Sequence, residues 1–252
     1  MTLRSPMKTL RIPFLSFLVI LSGITGTLQA QSLEETFLKG NIAYGNGDLD
    51  SAEKAYRLVL ESVQSAEVHY NLGNTLAQKG EWSEAAFHFM QAYSLDPNME
   101  SAKANLMLAA NRMGLGKDYP DLPTPAKMMS ERQWTTAAAA LFWVALILFF
   151  HGDFIRYKLP LHKTLGTISL LLMLVAVTGI IQHKLFKDWA VVSTSLASLR
   201  VAPTEQSPGE SVLIEGDPIR ILGEQKGFFH VMTSAGDEGF ILREEVYSVS
   251  KD

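Results

Sequence analysis

The stretch that decides the fold is "NLGNTLAQKGEWSEAAFHF", residues 71–89. It places glycines at 73 and 80, alanine at 85 and an aromatic ring at 89, and the preceding chain has the same order. An offset of 33 residues relates Gly40, Asn41, Gly47, Ala52 and Tyr56 to Gly73, Asn74, Gly80, Ala85 and Phe89. Stacked helix-turn-helix arrays have a period near this length, with small residues where helices cross and larger ones filling the gaps. The spacing therefore predicts an all-α packing scaffold.

The second copy, residues 66–99, resembles the tetratricopeptide repeat. The family pattern is matched by Leu72, Gly73, Leu76, Gly80, Ala85, Phe89 and Pro97, while His69 stands where the family usually has tryptophan. The first copy, residues 33–65, departs further, with Lys39 and Ala43 in apolar positions of the pattern and no closing proline. Residues 100–114 are predicted to form a closing helix that stops at Gly114, so the helical region spans 31–114.

The resemblance implies a binding surface. Repeats of this family bind partner peptides along the concave face made by the first helix of each pair. This places the candidate contacts at Asn41, Tyr44, Tyr70, Asn74 and Gln78. A clamp for a C-terminal carboxylate is not expected, because Phe37 and Asn105 stand where that form has lysine and arginine. The alternative is that these polar residues only solvate an exposed helix face.

Two uncharged apolar runs follow, "WTTAAAALFWVALILFF" (134–150) and "TLGTISLLLMLVAVTGIIQ" (164–182). Each is close to the roughly 20 residues that cross a bilayer as a helix. Arg156, Lys158 and Lys163 lie in the connecting segment, 151–163, which suits a cytoplasmic loop. The pattern predicts a transmembrane hairpin, since a pair of soluble core helices would need more amphipathic surface than this segment offers.

Residues 1–30 are typical of a secretory signal. Arg4, Lys8 and Arg11 precede the apolar run "FLSFLVIL", and small residues follow up to Ala30. Cleavage after Ala30 and retention as an N-terminal anchor both remain open at this point. Either outcome puts residue 31 outside the cytoplasm, so we expect both soluble regions on the outer side of the membrane.

The segment after the repeats and the C-terminal region have different patterns. Residues 115–133 contain Pro120, Pro123 and Pro125, which predict an extended spacer. Residues 189–249 alternate in short β-rich runs between turn residues, which predicts a small all-β barrel.

That C-terminal region resembles the bacterial SH3 domain. The resemblance is carried by Leu199, Arg200, Pro203, Gly216, Ile219, Ile221, Phe229, Val231, Gly236, Gly239 and Phe240. It implies peptidoglycan peptides or proline-containing strands as ligands; the alternative is a structural barrel whose aromatic rings are all core. Strand alternation predicts that one ring of Phe228 and Phe229 points outward, which makes this pair the candidate ligand contact.

Composition and motifs exclude several functions. With 22 Lys plus Arg against 26 Asp plus Glu, the charge of -4 offers no basic footprint for nucleic acid. The chain has no cysteine, and no two of its six histidines have metal-ligand spacing. Nucleophile, phosphate-binding and dinucleotide motifs are absent. We therefore expect no catalytic residue, metal or cofactor; an enzyme whose site leaves no motif is the remaining alternative.

The order of signal, tetratricopeptide repeats, membrane hairpin and bacterial SH3 domain is similar to that of the BatE family of the Bacteroides aerotolerance operon type. This resemblance implies a bacterial inner-membrane protein acting beside von Willebrand A-domain Bat proteins and a MoxR-type ATPase, in stress tolerance or envelope assembly. The predicted fold class is a multidomain membrane protein with helical repeats, a two-helix hairpin and a small SH3-like barrel. The predicted function is a membrane-anchored adaptor with two periplasmic modules. The alternative is a peptidoglycan-binding or cell-wall-sensing protein that acts through its SH3 domain.

Overall fold

The computed structural model describes residues 31–115, 119–123, 126–151 and 161–248. The predicted signal or anchor, residues 1–30, and residues 152–160 of the predicted loop lie outside the described residues. The described residues fall into two compact units, divided between Val63 and Gln64, and each is described by itself.

The first unit contains a helical hairpin, in which α1 covers residues 31–45 and α2 covers Leu49–Leu60. Gly47 adopts a positive φ of 78° in the turn, and the Asp48 carboxylate accepts a hydrogen bond from the Ser51 backbone N–H at 3.1 Å. A Cβ on Gly40 would lie 2.8 Å from the ring of Tyr56, which is only 1% exposed. The predicted pairing of a small residue with an aromatic ring is confirmed here.

The second unit begins with three helices, α3 (Ala66–Lys79), α4 (Trp82–Leu95) and α5 (Glu100–Arg112). Gly80 ends α3 in the left-handed conformation, with φ of 86°. A Cβ on Gly73 would lie 2.7 Å from the ring of Phe89, itself 1% exposed. Gly73 and Phe89 thus repeat the arrangement of the first unit, and helices are present where the second repeat and the closing helix were predicted.

Two long helices follow, α6 (Glu131–His151) and α7 (Leu161–Lys187). They pack antiparallel: Trp134 meets Gly179, Ser169 donates a hydrogen bond to the Leu141 carbonyl at 2.8 Å, and Phe149 meets Gly166. Both are long and apolar enough to cross a membrane, and only 11% and 22% of the residues in their most apolar stretches are buried. That exposure is unlike a pair of soluble core helices. Both helices also extend beyond the predicted spans of 134–150 and 164–182.

The C-terminal region is an antiparallel sheet of seven strands: β1 (Trp189–Val192), β2 (Leu196–Arg200), β3 (Gly209–Ile214), β4 (Pro218–Gln225), β5 (Phe228–Thr233), β6 (Glu238–Leu242) and β7 (Val246–Tyr247). The strand order is β3-β2-β6-β5-β4-β1-β7. Alternate side chains such as Leu199, Ile219, Phe229, Val231 and Ile241 form its core. Because β3 and β7 end the order without pairing with each other, the sheet is open, and closure into the predicted SH3-like barrel is not confirmed.

The proline-rich segment packs against both its neighbours. The Tyr119 hydroxyl donates to the Gly216 carbonyl in the sheet region at 2.7 Å. Leu122 is 1% exposed, and Ala126, in a 3₁₀ turn over Ala126–Met128, is fully buried. The imidazole Nε2 of His183, at the end of α7, lies 3.1 Å from the Ala126 carbonyl oxygen, to which it donates. The extended spacer stays a prediction, and the contacts of Tyr119 and Ala126 attach the described part of this segment to the sheet region and to α7.

Helix α4 is covered on all sides. Every residue from Ser83 to Ser94 is buried, whereas a surface repeat helix keeps a polar face in water. Its neighbours are α3, α5, α7 and β1. The Ser83 hydroxyl donates to Glu215 at 2.7 Å, and the Phe87 ring lies 6.3 Å from that of Tyr247. Within the second unit, helices α3 and α5, the end of α7 and the sheet therefore pack around α4.

Candidate functional site: the open face of α3 and α5

The predicted contacts of the second repeat lie on one face of α3. Tyr70, Asn74 and Gln78 follow each other at intervals of four residues, which aligns them along a helix. Tyr70 and Asn74 are half-buried and Gln78 is exposed, while Leu72 and Leu76 of the same helix are fully buried. The structure therefore brings these three side chains to an accessible surface.

Asn74 is joined to the closing helix. The Asn105 side-chain amide of α5 donates a hydrogen bond to the Asn74 carbonyl oxygen at 2.8 Å. This contact uses the Asn74 side-chain oxygen and one N–H of Asn105, so the pair still contains the Asn74 amino group, a donor, and the Asn105 side-chain oxygen, an acceptor. A donor and an acceptor are the two polar groups that a peptide bond can pair with. From the sequence, Asn105 stands out only because the carboxylate-clamp form has arginine at that position. Its contact with Asn74 depends on how α5 packs against α3.

The other two predicted contacts belong to the first unit. Asn41 and Tyr44 lie three residues apart on α1, and both are half-buried. The Asn41 carbonyl oxygen accepts a hydrogen bond from the Tyr56 hydroxyl at 2.8 Å, so this amide also ties α1 to α2. Asn41 thus has a structural role, and its contact with a partner stays a prediction.

A buried histidine pair lies between α3 and α4. The Nδ1 atoms of His69 and His88 are 2.9 Å apart, and His69 Nε2 lies 2.9 Å from the Gln64 amide oxygen. Because that oxygen only accepts, hydrogen bonding assigns the Nε2 proton to His69, whose Nδ1 then accepts from His88. His88 Nε2 in turn faces the Glu84 carboxylate at 3.7 Å. Burial, and then the charge of His88, lowers the pKa of His69 to about 3, so this imidazole is neutral.

An ionic cluster holds the proline-rich segment against α4 and α5. Asp121 accepts hydrogen bonds from the Tyr93 hydroxyl at 2.9 Å, Lys127 at 2.5 Å and Lys103 at 3.3 Å. Burial alone would raise the pKa of Asp121, but hydrogen bonds from Lys127, Tyr93 and Lys103 outweigh it and hold the pKa below its ordinary value. Burial, followed by the bond to Asp121, raises the pKa of Tyr93. This cluster stabilises the edge of the helical stack.

Phe228 and Phe229 are both buried, at 6% and 0% exposure, so the expectation of one surface ring is wrong. Phe229 lies in the core of the sheet, while the Arg200 guanidinium covers Phe228 at 5.7 Å from the ring centroid. Alternation did send the rings to opposite faces, but Arg200 of β2, two strands away in the sheet, covers Phe228. The more accessible rings are His230 and Phe240, which stack 4.9 Å apart on the outer face. In the sequence, strand alternation places His230 on the face opposite Phe229, which could have indicated this accessible pair.

Among the described residues, no group of three or more histidine, aspartate or glutamate side chains is arranged to hold a metal ion.

A family model described as tetratricopeptide repeat matches residues 66–99, the range predicted for the second copy. No curated protein matches the chain. Tetratricopeptide arrays are typically scaffolds for protein contacts and use their concave surfaces for binding. The match, together with the open face of α3 and α5, indicates a protein-interaction scaffold and gives no indication of catalysis.

Proposed function

We propose that this chain is a membrane-anchored adaptor whose second repeat binds an extended segment of a protein partner across Asn74 and Asn105. The observation that carries the proposal is the amide pair itself, held at 2.8 Å on the open face. Tyr70 and Gln78 extend the same face along α3, and Asn41 and Tyr44 are the candidate contacts in the first unit.

The accessible side of this repeat follows from what covers the other side. In a repeat pair, one helix faces the concave surface and the second faces the convex one. Here the second helix, α4, is buried against β1 and α7, so a partner cannot replace those contacts without opening the fold. The face with Asn74 is left for binding.

The membrane part of the proposal rests on α6 and α7. Lys187 pairs with Glu131 at the end of the hairpin where α6 begins and α7 ends. Strand β1 begins two residues after Lys187. The Phe186 ring near that end lies 6.5 Å from the ring of Tyr93 on α4. Because repeats and sheet both pack at this end, two crossings would leave both on one side of the membrane. We propose that this side is periplasmic.

For the physiological setting we propose a BatE-like role in a Bat and MoxR-type complex, with von Willebrand A-domain Bat proteins as partners. The order of segments supports it. The alternative of cell-wall recognition through the sheet has less support, because Phe228 and Phe229 are covered by protein side chains.

The binding proposal is tested by photo-crosslinking in native membranes, with the crosslinker at Gln78 and with Asn74→Ala as the variant. The control position is Asn111, which is exposed on a different face of α5. We expect a captured protein at Gln78 that is lost in Asn74→Ala and absent at Asn111. Equal capture at Gln78 and Asn111, or capture unaffected by Asn74→Ala, would refute the proposed face.

The topology is tested by cysteine labelling, which the absence of native cysteine makes simple. Single cysteines replace Gln78, Ser234 and Lys158 in turn, and a membrane-impermeant maleimide is added to spheroplasts. We expect labelling of the first two in intact spheroplasts and of the third only after lysis. Labelling of Lys158→Cys before lysis would contradict the arrangement without affecting the crosslinking result.

A further inference from the structure

Strand β3 has a partner on one side only. It pairs with β2, and no described strand lies along its other edge. The Ile214 N–H donates to the Asp217 carboxylate at 2.8 Å, and the Ile214 carbonyl accepts from the Asp217 N–H at 3.1 Å. The polar backbone groups of Ile214 therefore face away from β2. Since this direction alternates along an antiparallel strand, the N–H and carbonyl of Val212 face the same open edge.

The outer face beside this edge is apolar. Leu196 is 73% exposed, Val212 63% and Ile214 45%, and Leu196 lies directly opposite Ile214 in the strand pairing. Natural edge strands are usually protected by lysine, proline, a bulge at the edge or a covering segment. Strand β3, "GESVLI", contains neither lysine nor proline. The β2–β3 register shifts between Leu199 and Arg200, opposite the start of β3, whereas the pairing along Val212–Ile214 is regular. An exposed apolar patch continuous with this regular, open part of the edge is typical of an interaction surface.

A pocket beside the edge is acidic and favours a cationic group on any ligand. It has a volume of about 360 Å³ and is lined in part by Val212, Asp217, Thr233, Ser234 and Asp237. Two of its lining residues are carboxylates and none is a cation. Glu210, the one charged residue of β3, is exposed on the same strand. The surface therefore combines backbone groups for a strand, an apolar face and an acidic pocket.

We propose that β3 is a docking strand for an extended segment of another protein, with alternating apolar residues and a lysine or arginine. The segment would pair with the Val212 backbone, cover Val212 and Ile214 with its apolar residues, and place its cation between Asp217 and Asp237. A second copy of this chain fits less well, because its β3 carries Glu210 as its one charge and has no cation to place between Asp217 and Asp237. An anionic membrane surface is disfavoured by the same charges.

The test uses the full chain in neutral-lipid nanodiscs and a fluorescent probe peptide of sequence Lys-Val-Thr-Val-Thr-Val-Lys. Two matched peptides carry either glutamate at both ends or N-methyl groups on alternate amides. We expect saturable binding by anisotropy, weakened about tenfold or more by either change. No saturation up to about 1 mM, or equal binding of the N-methylated peptide, would overturn strand addition.

The surface is tested with matched variants. Val212→Lys is expected to weaken the probe at least about tenfold, while Leu222→Lys, which adds the same charge to an exposed apolar site on β4, should change binding by less than about twofold. Equal effects of the two would overturn the assignment. Should Val212→Lys alter the melting temperature, Asp237→Asn replaces it, with weaker binding of the lysine peptide expected and unchanged binding counting against the pocket. Self-association lost in Val212→Lys, or binding to anionic vesicles, would point to the other occupants.

Discussion

Gly73→Ala tests the packing logic of the repeat. The added Cβ would lie 2.7 Å and 2.8 Å from two carbons of the Phe89 ring, closer than real Cβ contacts come. The ring is 1% exposed and has little room to withdraw. Overpacking of a filled core costs about 1–3 kcal/mol. Replacing glycine with alanine inside a helix stabilises the helix by about 1 kcal/mol, because alanine has the higher helix propensity. We therefore expect a net loss of about 0–2 kcal/mol in the free energy of unfolding.

Gly45→Ala is the matched control. Gly45 is the last helical residue of α1, and a Cβ there would meet nothing within 4 Å. The same substitution should leave stability unchanged or raise it by up to about 1 kcal/mol. The two variants should thus differ by about 2 kcal/mol, or roughly 4–8 °C in melting temperature for a protein of this size.

The assay is thermal unfolding in detergent, followed by far-ultraviolet circular dichroism, because all four tryptophans lie in the second unit whereas Gly45 lies in the first. Phe89→Leu supplies the second arm of a double-mutant cycle, because it removes the ring carbons that the new Cβ would meet. Gly73→Ala should then be tolerated, giving a coupling free energy of about 1–2 kcal/mol. Equal melting temperatures for Gly73→Ala and Gly45→Ala, together with zero coupling to Phe89→Leu, would refute the reasoning.

Three further outcomes concern titration and burial. His69 has a lowered pKa of about 3, so the unfolded chain binds the proton more readily, and stability should fall as pH drops from about 6.5 towards 3; His69→Phe should flatten that slope in pH-dependent unfolding. Asp121 has a lowered pKa, so its contribution is present above the unfolded value near 3.8 and is lost on acidification; Asp121→Asn should show no such loss in the same titration. Tyr119→Phe leaves the buried Gly216 carbonyl without its donor and should lower the unfolding free energy by about 1–2 kcal/mol in denaturant titrations, whereas no change would contradict the bond at 2.7 Å.

The packing positions of the repeat were predictable because they are local. Gly73 and Phe89 are sixteen residues apart. The absence of a side chain at one and the large ring at the other already indicate that the two helices approach closely there. Gly80 predicts its own turn for the same reason, since only glycine adopts a positive φ at low cost. The long apolar runs of α6 and α7 likewise carry their signal in composition alone.

The site was only partly predictable. Tyr70, Asn74 and Gln78 share a helix face by spacing, and that face is accessible in the structure. The Asn74 to Asn105 hydrogen bond joins residues 31 positions apart, and neither identity specifies the partner. The burial of Phe228 under Arg200 has the same origin, because alternation within β5 does not predict which side chains of other strands will cover its outer face.

By itself the sequence determined the helical period, the turns, the two apolar helices and the change to β structure, since these depend on residue size, backbone freedom and hydropathy over short ranges. The tertiary structure decided that α4 is covered on every side, that the proline-rich segment is packed against its neighbours, and that the sheet is open with β3 at its edge. Those features depend on contacts between distant segments, where many pairings satisfy the same local pattern and only the packing of the whole unit selects one.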